Sequence, residues 1–287
     1  MASDGRWTEI KEMKGGIQCH LHGKANLKVN YMEEDGMKII PKLEYAPGLQ
    51  GDFFLPGGQA PDGGFPAALL IHGGGWTAMD RHAVRGIADF LAENGFAVFN
   101  IDYRLAPQHR WPAGLDDCKA AARWLIGSSY PIDTGKIFIV GGSAGGHYAL
   151  MTGLTLPRGT ICGIVSISGI DDVFVDSEFA PRRYGYLLGK SPERNDLLGL
   201  NPAEYHTADA PPILCTHWRK DQVVPFSECA AFEQVVVKNG GRICVYSYEY
   251  DRHCEGHDIW IPGSSPHRLY PDLEAVIAGF MKAVIAK

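Results

Sequence analysis

Short apolar runs alternate with longer stretches of helical period from about residue 65 to the end of the chain. The runs are rich in β-branched residues and predict buried strands at 67–71, 97–101, 136–140, 161–167, 213–216 and 243–248. The longer stretches predict helices at 81–94, 112–126, 144–156, 226–239 and 268–286. This alternation is typical of an α/β fold, and we expect a mostly parallel central sheet of about eight strands flanked by helices.

Two regions depart from the alternation within a chain that we otherwise treat as one domain, residues 1–287. Residues 1–49 form an N-terminal extension that could cover a site, and 27–32 and 52–55 are candidate edge strands. Residues 169–210 form a small cap insertion in which 182–188 predict a short amphipathic helix. Two interpretations of this cap stay open, a mobile cover over a site and a plain surface excursion.

A G-G-S-A-G motif occupies residues 141–145, directly after a predicted strand and at the start of a predicted helix. In this strand-turn-helix setting the pattern predicts a nucleophile elbow with Ser143 at its tip. Glycines on either side let the backbone pass through the sharp turn without a Cβ clash. The spacing fits neither a P-loop nor a dinucleotide fingerprint.

A second glycine-rich motif, H-G-G-G-W at residues 72–76, follows the predicted strand 67–71. Such a loop can turn backbone N–H groups toward a substrate oxygen that becomes negatively charged. We assign the oxyanion donors to the N–H groups of Gly74, Gly75 and Ala144.

A serine hydroxyl needs a histidine to accept its proton and an acid to orient that histidine. Where the serine stands at a nucleophile elbow, the acid comes after the serine in the chain. Asp221 lies just beyond the predicted strand 213–216, at the sheet edge where catalytic groups gather. Asp209 and Glu249 are weaker candidates.

Two histidines follow the last predicted strand and could act as the base. We prefer His257, in a Gly-His pair before the final helix, and keep His253 as the alternative. The other histidines, among them His147 and His217, are expected to be structural. None of them forms a pair with the spacing of a zinc site, so no metal is predicted.

The composition of the chain disfavours several classes of binding partner. The 27 basic and 33 acidic residues are dispersed and give a net charge of −6, which disfavours nucleic acid binding. Neither an apolar run of about 20 residues nor a basic amphipathic helix is present, so no membrane partner is expected. Seven cysteines without a C-x-x-C pair indicate reduced thiols, and the lack of an apolar leader favours a cytoplasmic protein.

Three further motifs extend the picture: D-Y-R-L-A-P at 102–107, W-P-A at 111–113 and D-D-C at 116–118. With the elbow and the glycine loop, they make the chain resemble the hormone-sensitive-lipase-like branch of the α/β-hydrolase superfamily and the small bacterial carbohydrate esterases (acetyl xylan and feruloyl esterases). The likeness covers about residues 50–287. It implies an α/β-hydrolase fold and structural rather than catalytic roles for Asp102 and Arg104.

Some residues depart from that branch. Gly142 stands where the hormone-sensitive-lipase-like relatives commonly have Asp before the nucleophile. The Gly-Gly-His sequence at 145–147 and the Val-Val-Pro sequence at 223–225 look more like the small esterases and arylformamidases. The resemblance therefore leaves the substrate class open.

The expected activity is that of a serine carboxylesterase that cleaves short-chain acyl esters through an acyl-enzyme and needs no cofactor. Acetylated carbohydrates or aryl esters are the favoured substrates, and four aromatic residues are candidates to line the mouth of the site: Trp76, Tyr184, Tyr186 and Trp260. The alternatives are an arylformamidase-like amidase with the same triad and a non-catalytic hydrolase-fold binding protein. The expected partner is a small-molecule ester, and a homo-oligomer stays open.

Overall fold

The computed structural model of the chain describes residues 10–13, 16–19, 27–29, 32–34, 36–175, 180–249, 256–257, 259–261, 264 and 266–286. The strands are β1 (Ile10–Met13), β2 (Gly16–Cys19), β3 (Leu27–Val29), β4 (Met32–Glu34), β5 (Met37–Ala46), β6 (Leu49–Leu55), β7 (Phe65–Ile71), β8 (Ala97–Ile101), β9 (Ile132–Gly142), β10 (Gly163–Ile167), β11 (Ile213–Trp218) and β12 (Ile243–Tyr248). The α-helices are α1 (Arg85–Glu93), α2 (Ala113–Ile126), α3 (Ala144–Thr155), α4 (Ala180–Leu188), α5 (Arg194–Leu200), α6 (Phe226–Lys238) and α7 (Pro271–Ile285), and short 3-10 helices lie at Arg81–Val84 and Pro202–Tyr205.

The central sheet confirms the predicted α/β architecture. Within the described residues it has nine strands, in the order β12-β11-β10-β9-β7-β8-β6-β5-β4, against the expected number of about eight. Six neighbouring strands, from β12 to β8, run parallel, while β6, β5 and β4 continue the sheet antiparallel. The carboxyl ends of the parallel strands therefore meet at one edge of the sheet, where ligands bind in open α/β folds.

The antiparallel end of the sheet differs from the sequence prediction. The segment 52–55, expected as an edge strand, lies within β6, which pairs with β8 on one side and β5 on the other. Its interior position has a visible cause, because Phe53 packs into the core on one face of the sheet and Phe54 into the core on the other. Strands β4 and β5, whose residues were assigned to the N-terminal extension, form the far edge of the same sheet. The candidate strand 27–32 is divided between β3, in a separate three-stranded sheet, and β4.

Helices cover both faces of the sheet. On one face α2, α3 and α6 pack over side chains such as Leu69 and Ile71 of β7. On the other face α1 and α7 pack over Ala68 and Leu70 of the same strand. Because successive strand residues point to opposite faces, a strand buried on both sides is apolar throughout, as the sequence pattern indicated.

The cap insertion contains α4, α5 and the second 3-10 helix. The predicted helix at 182–188 is confirmed within α4. Hydrogen bonds that join the predicted cap to the rest of the protein include that from the Trp111 N–H to the Leu187 carbonyl at 3.0 Å and that from Arg183 to Glu228 of α6 at 2.7 Å. No helix in the described part of the chain combines the length and apolar character needed to cross a bilayer.

Candidate active site

Ser143 stands at the sharp turn between β9 and α3, with φ of 56° and ψ of −124°. Two glycines allow this turn because a Cβ at either would strike backbone. A Cβ at Gly141 would lie 2.1 Å from the Gly145 carbonyl oxygen, and one at Gly145 would lie 2.2 Å from that of Ile71. The positive φ of Ser143 is a strained conformation for a side-chain-bearing residue, as expected for an exposed nucleophile.

The serine also marks the start of a helix. Its own N–H donates to the Ile167 carbonyl at 2.9 Å, which ties the elbow to the neighbouring strand β10. Ala144, the first residue of α3, is buried, and its N–H belongs to the positive end of the helix dipole. This arrangement suits the stabilisation of negative charge next to the Ser143 hydroxyl.

The glycine loop lies directly against the elbow. A Cβ added at Gly73 would be 2.9 Å from the Gly142 carbonyl oxygen and 3.3 Å from the Ser143 Cβ. Gly74 and Gly75 follow with φ of 97° and 58°, conformations that favour glycine. The motif therefore places predicted oxyanion donors beside the predicted nucleophile.

The orientation of the loop is fixed by two buried side chains, His72 and Tyr103. The Gly73 carbonyl accepts from the His72 Nδ1–H at 2.8 Å and from the Tyr103 hydroxyl at 3.2 Å, and the two rings stack with their centroids 4.3 Å apart. Burial lowers the pKa of His72, so its ring is neutral and its tautomer is set by this bond. Because a trans peptide points its C=O and N–H in opposite directions, a Gly73 carbonyl held this way turns the Gly74 N–H to the other side.

Tyr103 was missed as a functional candidate in the sequence. Its only signal there was membership of the D-Y-R-L-A-P motif. The neighbours of Tyr103 have the structural roles implied by the resemblance. Asp102 pairs with Arg81 and accepts from its N–H at 2.8 Å, and Arg104 makes a salt bridge of 2.7 Å with Asp117.

Asp221 and His257 are brought together by the fold. His257 Nδ1 lies 2.6 Å from Asp221 Oδ2, while Asp221 Oδ1 accepts the N–H groups of Val223 and Val224 at 2.9 and 2.8 Å. Since an ionised carboxylate only accepts, His257 holds its proton on Nδ1 and presents a lone pair on Nε2. His257 Nε2 is buried and has no hydrogen-bond partner among the described residues.

The loops that carry the acid and the base are joined by their backbones. The Gln222 N–H donates to the Gly256 carbonyl at 2.7 Å, just before His257. Three residues after His257, the Trp260 ring lies 3.8 Å from the position of a Cβ at Gly142, beside the nucleophile. Gly256 thus lies at the acid loop and Trp260 beside the elbow, on either side of His257 in the chain. The alternative base, His253, lies outside the described residues.

His217, which was expected to be structural, lies next to the acid. Its buried ring donates from Nε2 to the Val224 carbonyl at 2.8 Å, and the same nitrogen is 3.8 Å from Asp221 Oδ2. Burial lowers the pKa of His217, which keeps the ring neutral. With Asp171 and Cys229 it also forms the one group of side chains in the described ranges that could hold a metal ion.

The weaker acid candidates are placed away from the histidine. Asp209 lies 3.4 Å from Arg158 and Glu249 lies 3.5 Å from Arg219, and both carboxylates are well exposed. These are ordinary surface ion pairs.

The four aromatic residues predicted to line the mouth divide into two pairs. Trp76 and Tyr184 are buried in the core, with Trp76 packed against His147 at 5.3 Å between ring centroids. The mouth-lining role of that pair stays a prediction, and neither ring has more than a small exposed surface. Tyr186 is exposed, and Trp260 is half-buried beside Gly142.

The part of the chain that matches known proteins carries most of this site. Residues 52–236, which carry the glycine loop, the elbow and Asp221, match the BD-FAE family. The chain belongs to the BD-FAE family. The α/β-hydrolase esterase group expected from the sequence is thereby confirmed.

Individual relatives of this BD-FAE protein are esterases by name. Esterase LipC of Mycobacterium tuberculosis is 29% identical over 192 residues, 58% of this chain and 47% of LipC. The chain therefore spans about half the length of that curated relative.

Solved structures agree on the fold. A truncated carbohydrate esterase from gut microbiota superposes with a TM-score of 0.75 at 22% identity, over 90% of this chain and 100% of its own. An acetyl ester-xyloside bifunctional hydrolase from Caldicellulosiruptor lactoaceticus gives a TM-score of 0.70 at 21% identity, over 88% and 98% of the two chains. At these identities the comparison establishes an α/β-hydrolase fold.

Proposed function

We propose that the protein is a serine carboxylesterase that hydrolyses short-chain acyl esters through an acyl-enzyme. The observation that carries the proposal is the 2.6 Å contact between His257 and Asp221, which leaves a buried Nε2 lone pair at the edge where Ser143 is presented. Membership of the BD-FAE family and the esterase names of the relatives support the same reaction.

The first half of the reaction uses the pair as a base. His257 Nε2 takes the Ser143 hydroxyl proton while Oγ attacks the ester carbonyl carbon. Asp221 keeps the His257 tautomer in place and stabilises the imidazolium that forms. The tetrahedral intermediate then collapses, and His257 returns the proton to the departing alcohol.

The oxyanion of that intermediate is bound by backbone N–H groups. Gly74, Gly75 and Ala144 supply them, from the glycine loop on one side and the start of α3 on the other. His72 and Tyr103 contribute indirectly by holding the Gly73 carbonyl away. Donors fixed before the substrate arrives need no reorganisation during the reaction, which is the main source of their effect on rate.

The second half of the reaction releases the carboxylic acid product. Water replaces the alcohol, gives one proton to His257 Nε2 and attacks the acyl-enzyme carbonyl. Collapse of the second intermediate frees the carboxylic acid, and Ser143 regains its proton from His257. Each group ends in its starting state, so this sequence needs no cofactor.

The decisive experiment is hydrolysis of p-nitrophenyl acetate by a Ser143→Ala variant. We expect kcat/KM to fall by about 10⁴-fold or more, because loss of the nucleophile removes the whole covalent route. Ser191→Ala is the matched control, since Ser191 is exposed and lies on the cap outside the elbow. Equal activity in Ser143→Ala and Ser191→Ala would end the proposal.

The same assay identifies the base. We expect His257→Asn to lose activity to a similar degree and His253→Asn to keep most of it. The reverse result would transfer the role to His253.

The preferred substrate class is an acetylated carbohydrate or aryl ester. The proposal draws on relatives whose names include a carbohydrate esterase and an acetyl ester-xyloside hydrolase, and on the aromatic ring of Trp260 beside Gly142. Aromatic faces pack well against sugar and phenolic rings. Specificity constants for acetylated xylo-oligosaccharides should exceed those for plain short-chain esters. Equal or lower constants would remove the carbohydrate preference and leave the esterase reaction intact.

A further inference from the structure

A buried cluster of potential metal ligands lies behind the catalytic acid. Its members come from three different elements: Asp171 from the loop after β10, His217 from β11 and Cys229 from α6. All three side chains have no exposed surface. One donor atom from each residue lies within 4.8 Å of the donor atoms of the other two.

One of these donors is a buried atom left without a hydrogen bond. His217 Nε2 donates to the Val224 carbonyl, and Nδ1 has no hydrogen-bond partner within the described part of the chain. A buried acceptor in this condition is rare in native proteins and calls for an explanation. The Asp171 carboxyl accepts the Ser166 hydroxyl at 2.7 Å and contacts the thiols of Cys215 and Cys229.

A second thiol lies beside this group. Cys215 precedes His217 by two residues on β11, so both side chains point to the same face of the sheet. The Cys215 thiol contacts the Cys229 thiol and the Asp171 carboxyl. The oxygen, nitrogen and sulfur donors of the group and this second sulfur are therefore close together in the buried core.

We propose that this cluster is a structural zinc site, with Asp171, His217 and Cys229 as ligands and Cys215 in the fourth position. Thiolate, imidazole and carboxylate are the donors that Zn²⁺ takes in closed tetrahedral sites, whereas Ca²⁺ and Mg²⁺ take oxygen donors. Bound zinc would use the unpartnered lone pair of His217 Nδ1, and the thiol protons displaced by the ion pass to solvent.

The surroundings of the ligands follow the pattern of metal sites. A metal-bound histidine usually donates its other N–H to a carbonyl or carboxylate, and bound carboxylates are hydrogen-bonded in turn. His217 donates from Nε2 to the Val224 carbonyl, and Asp171 accepts from the Ser166 hydroxyl. Zinc at this point would join the loop after β10, the strand β11 and the helix α6 behind Asp221. It is separate from the triad and takes no part in the proposed ester hydrolysis.

The test is metal binding by the full chain. Protein kept reduced and stripped with a chelator is titrated with Co²⁺ and then Zn²⁺, and bound zinc is measured by elemental mass spectrometry. We expect one equivalent of zinc and, with Co²⁺, the visible bands of a tetrahedral site together with thiolate-to-cobalt charge transfer. A wild-type chain that gives neither the bands nor bound zinc would overturn the proposal without need of any variant.

Variants assign the ligands. Asp171→Asn and Cys229→Ala should bind zinc at least tenfold more weakly, and Cys118→Ala should bind as the wild type does. Cys118 is the matched control because it is equally buried but lies on α2. Zinc binding unchanged in Cys229→Ala would contradict the assignment. Ser143→Ala should keep its zinc whatever its activity, so failure of the esterase proposal and failure of the zinc proposal give different results.

Discussion

At the scale of single residues, the elbow depends on which glycines face backbone. Gly141 and Gly145 each fill a space that a Cβ would share with a carbonyl oxygen. Gly142 is different, because its nearest neighbours would be the Ile167 oxygen at 3.7 Å and the Trp260 ring at 3.8 Å, both at ordinary contact distance. Two glycines are therefore required by the turn, and the one beside the serine is not.

This difference predicts opposite outcomes for two one-methyl substitutions. Gly145→Ala should lower the free energy of unfolding by about 3 kcal/mol or more, because backbone must move to admit the methyl group. Gly142→Ala should change it by less than about 1 kcal/mol. Chemical denaturation of both variants checks the pair, and equal stabilities would show that the close approach at Gly145 is relieved at little cost.

Residue roles that depend on local pattern were predictable, and those that depend on long-range contacts were not. Ser143 and the glycine loop could be predicted from the sequence because the roles proposed for them need glycines at fixed spacing. Tyr103 acts through a carbonyl 30 residues earlier in the chain, which no local pattern reveals. Trp76 and Tyr184 are buried, which could not be predicted, because the sequence does not disclose whether an aromatic face meets solvent or core.

At the scale of elements, the cap and the acid loop are joined by Arg183 of α4. Its guanidinium donates to the buried Glu228 of α6 at 2.7 Å and also to the Val223 carbonyl, two residues after Asp221. A guanidinium spreads its N–H donors over three nitrogens and can make both bonds, whereas a lysine carries all its donors on one nitrogen. The position of the cap is in this way coupled to that of the acid.

Replacement of Arg183 by lysine should keep one of these two hydrogen bonds and lose the other. We expect Arg183→Lys to cost about 1–3 kcal/mol of stability, since one buried partner loses its donor. The exposed neighbour provides the control, and Arg182→Lys should be neutral. Thermal unfolding of the two variants decides the matter, and a neutral Arg183→Lys would mean that the cap is held by its other contacts.

Helices and strands were predicted correctly where one hydrophobic pattern dominates the sequence. The parallel strands and their helices were placed within a few residues, because strands buried on both faces are uniformly apolar. β5 was missed since its exposed positions, such as Lys42 and Glu44, dilute the apolar signal. β6 was taken for an edge strand because the Gly- and Pro-rich sequence around it is typical of chain outside a core.

At the scale of the whole molecule, buried neutral histidines link stability to pH. His147 is fully buried between the core and the cap and donates to the Leu200 carbonyl at 2.7 Å. Burial lowers its pKa to about 4, from 6.5 in an exposed chain. The unfolded chain therefore binds more protons than the folded one between these values, and stability falls as the pH falls through this window.

The predicted size of this effect is about 2 kcal/mol between pH 7 and pH 5 for His147 alone. His147→Gln keeps an N–H donor for Leu200 but cannot take up a proton. Denaturation midpoints measured at both pH values should fall less in the variant than in the wild type. Parallel pH profiles for the two proteins would show that His147 does not titrate with unfolding.

The zinc proposal differs from the expectation, drawn from sequence spacing, that no metal is bound. Asp171, His217 and Cys229 come from three different elements and carry no spacing that indicates a site. The fold brings them together, since β10 and β11 are neighbours and α6 packs on β11. A site assembled from three elements is in general hidden from motif reasoning.

The proposed triad also divides the chain in two. The proposed nucleophile and oxyanion donors lie before residue 145, the proposed acid and base lie after residue 220, and the stretch between them includes the exposed turn at 207–209. Each part holds half of a catalytic machine and neither holds a working one. Related chains could therefore exchange their C-terminal segments as modules, passing on the proton-transfer apparatus while the acyl-binding half keeps its own history.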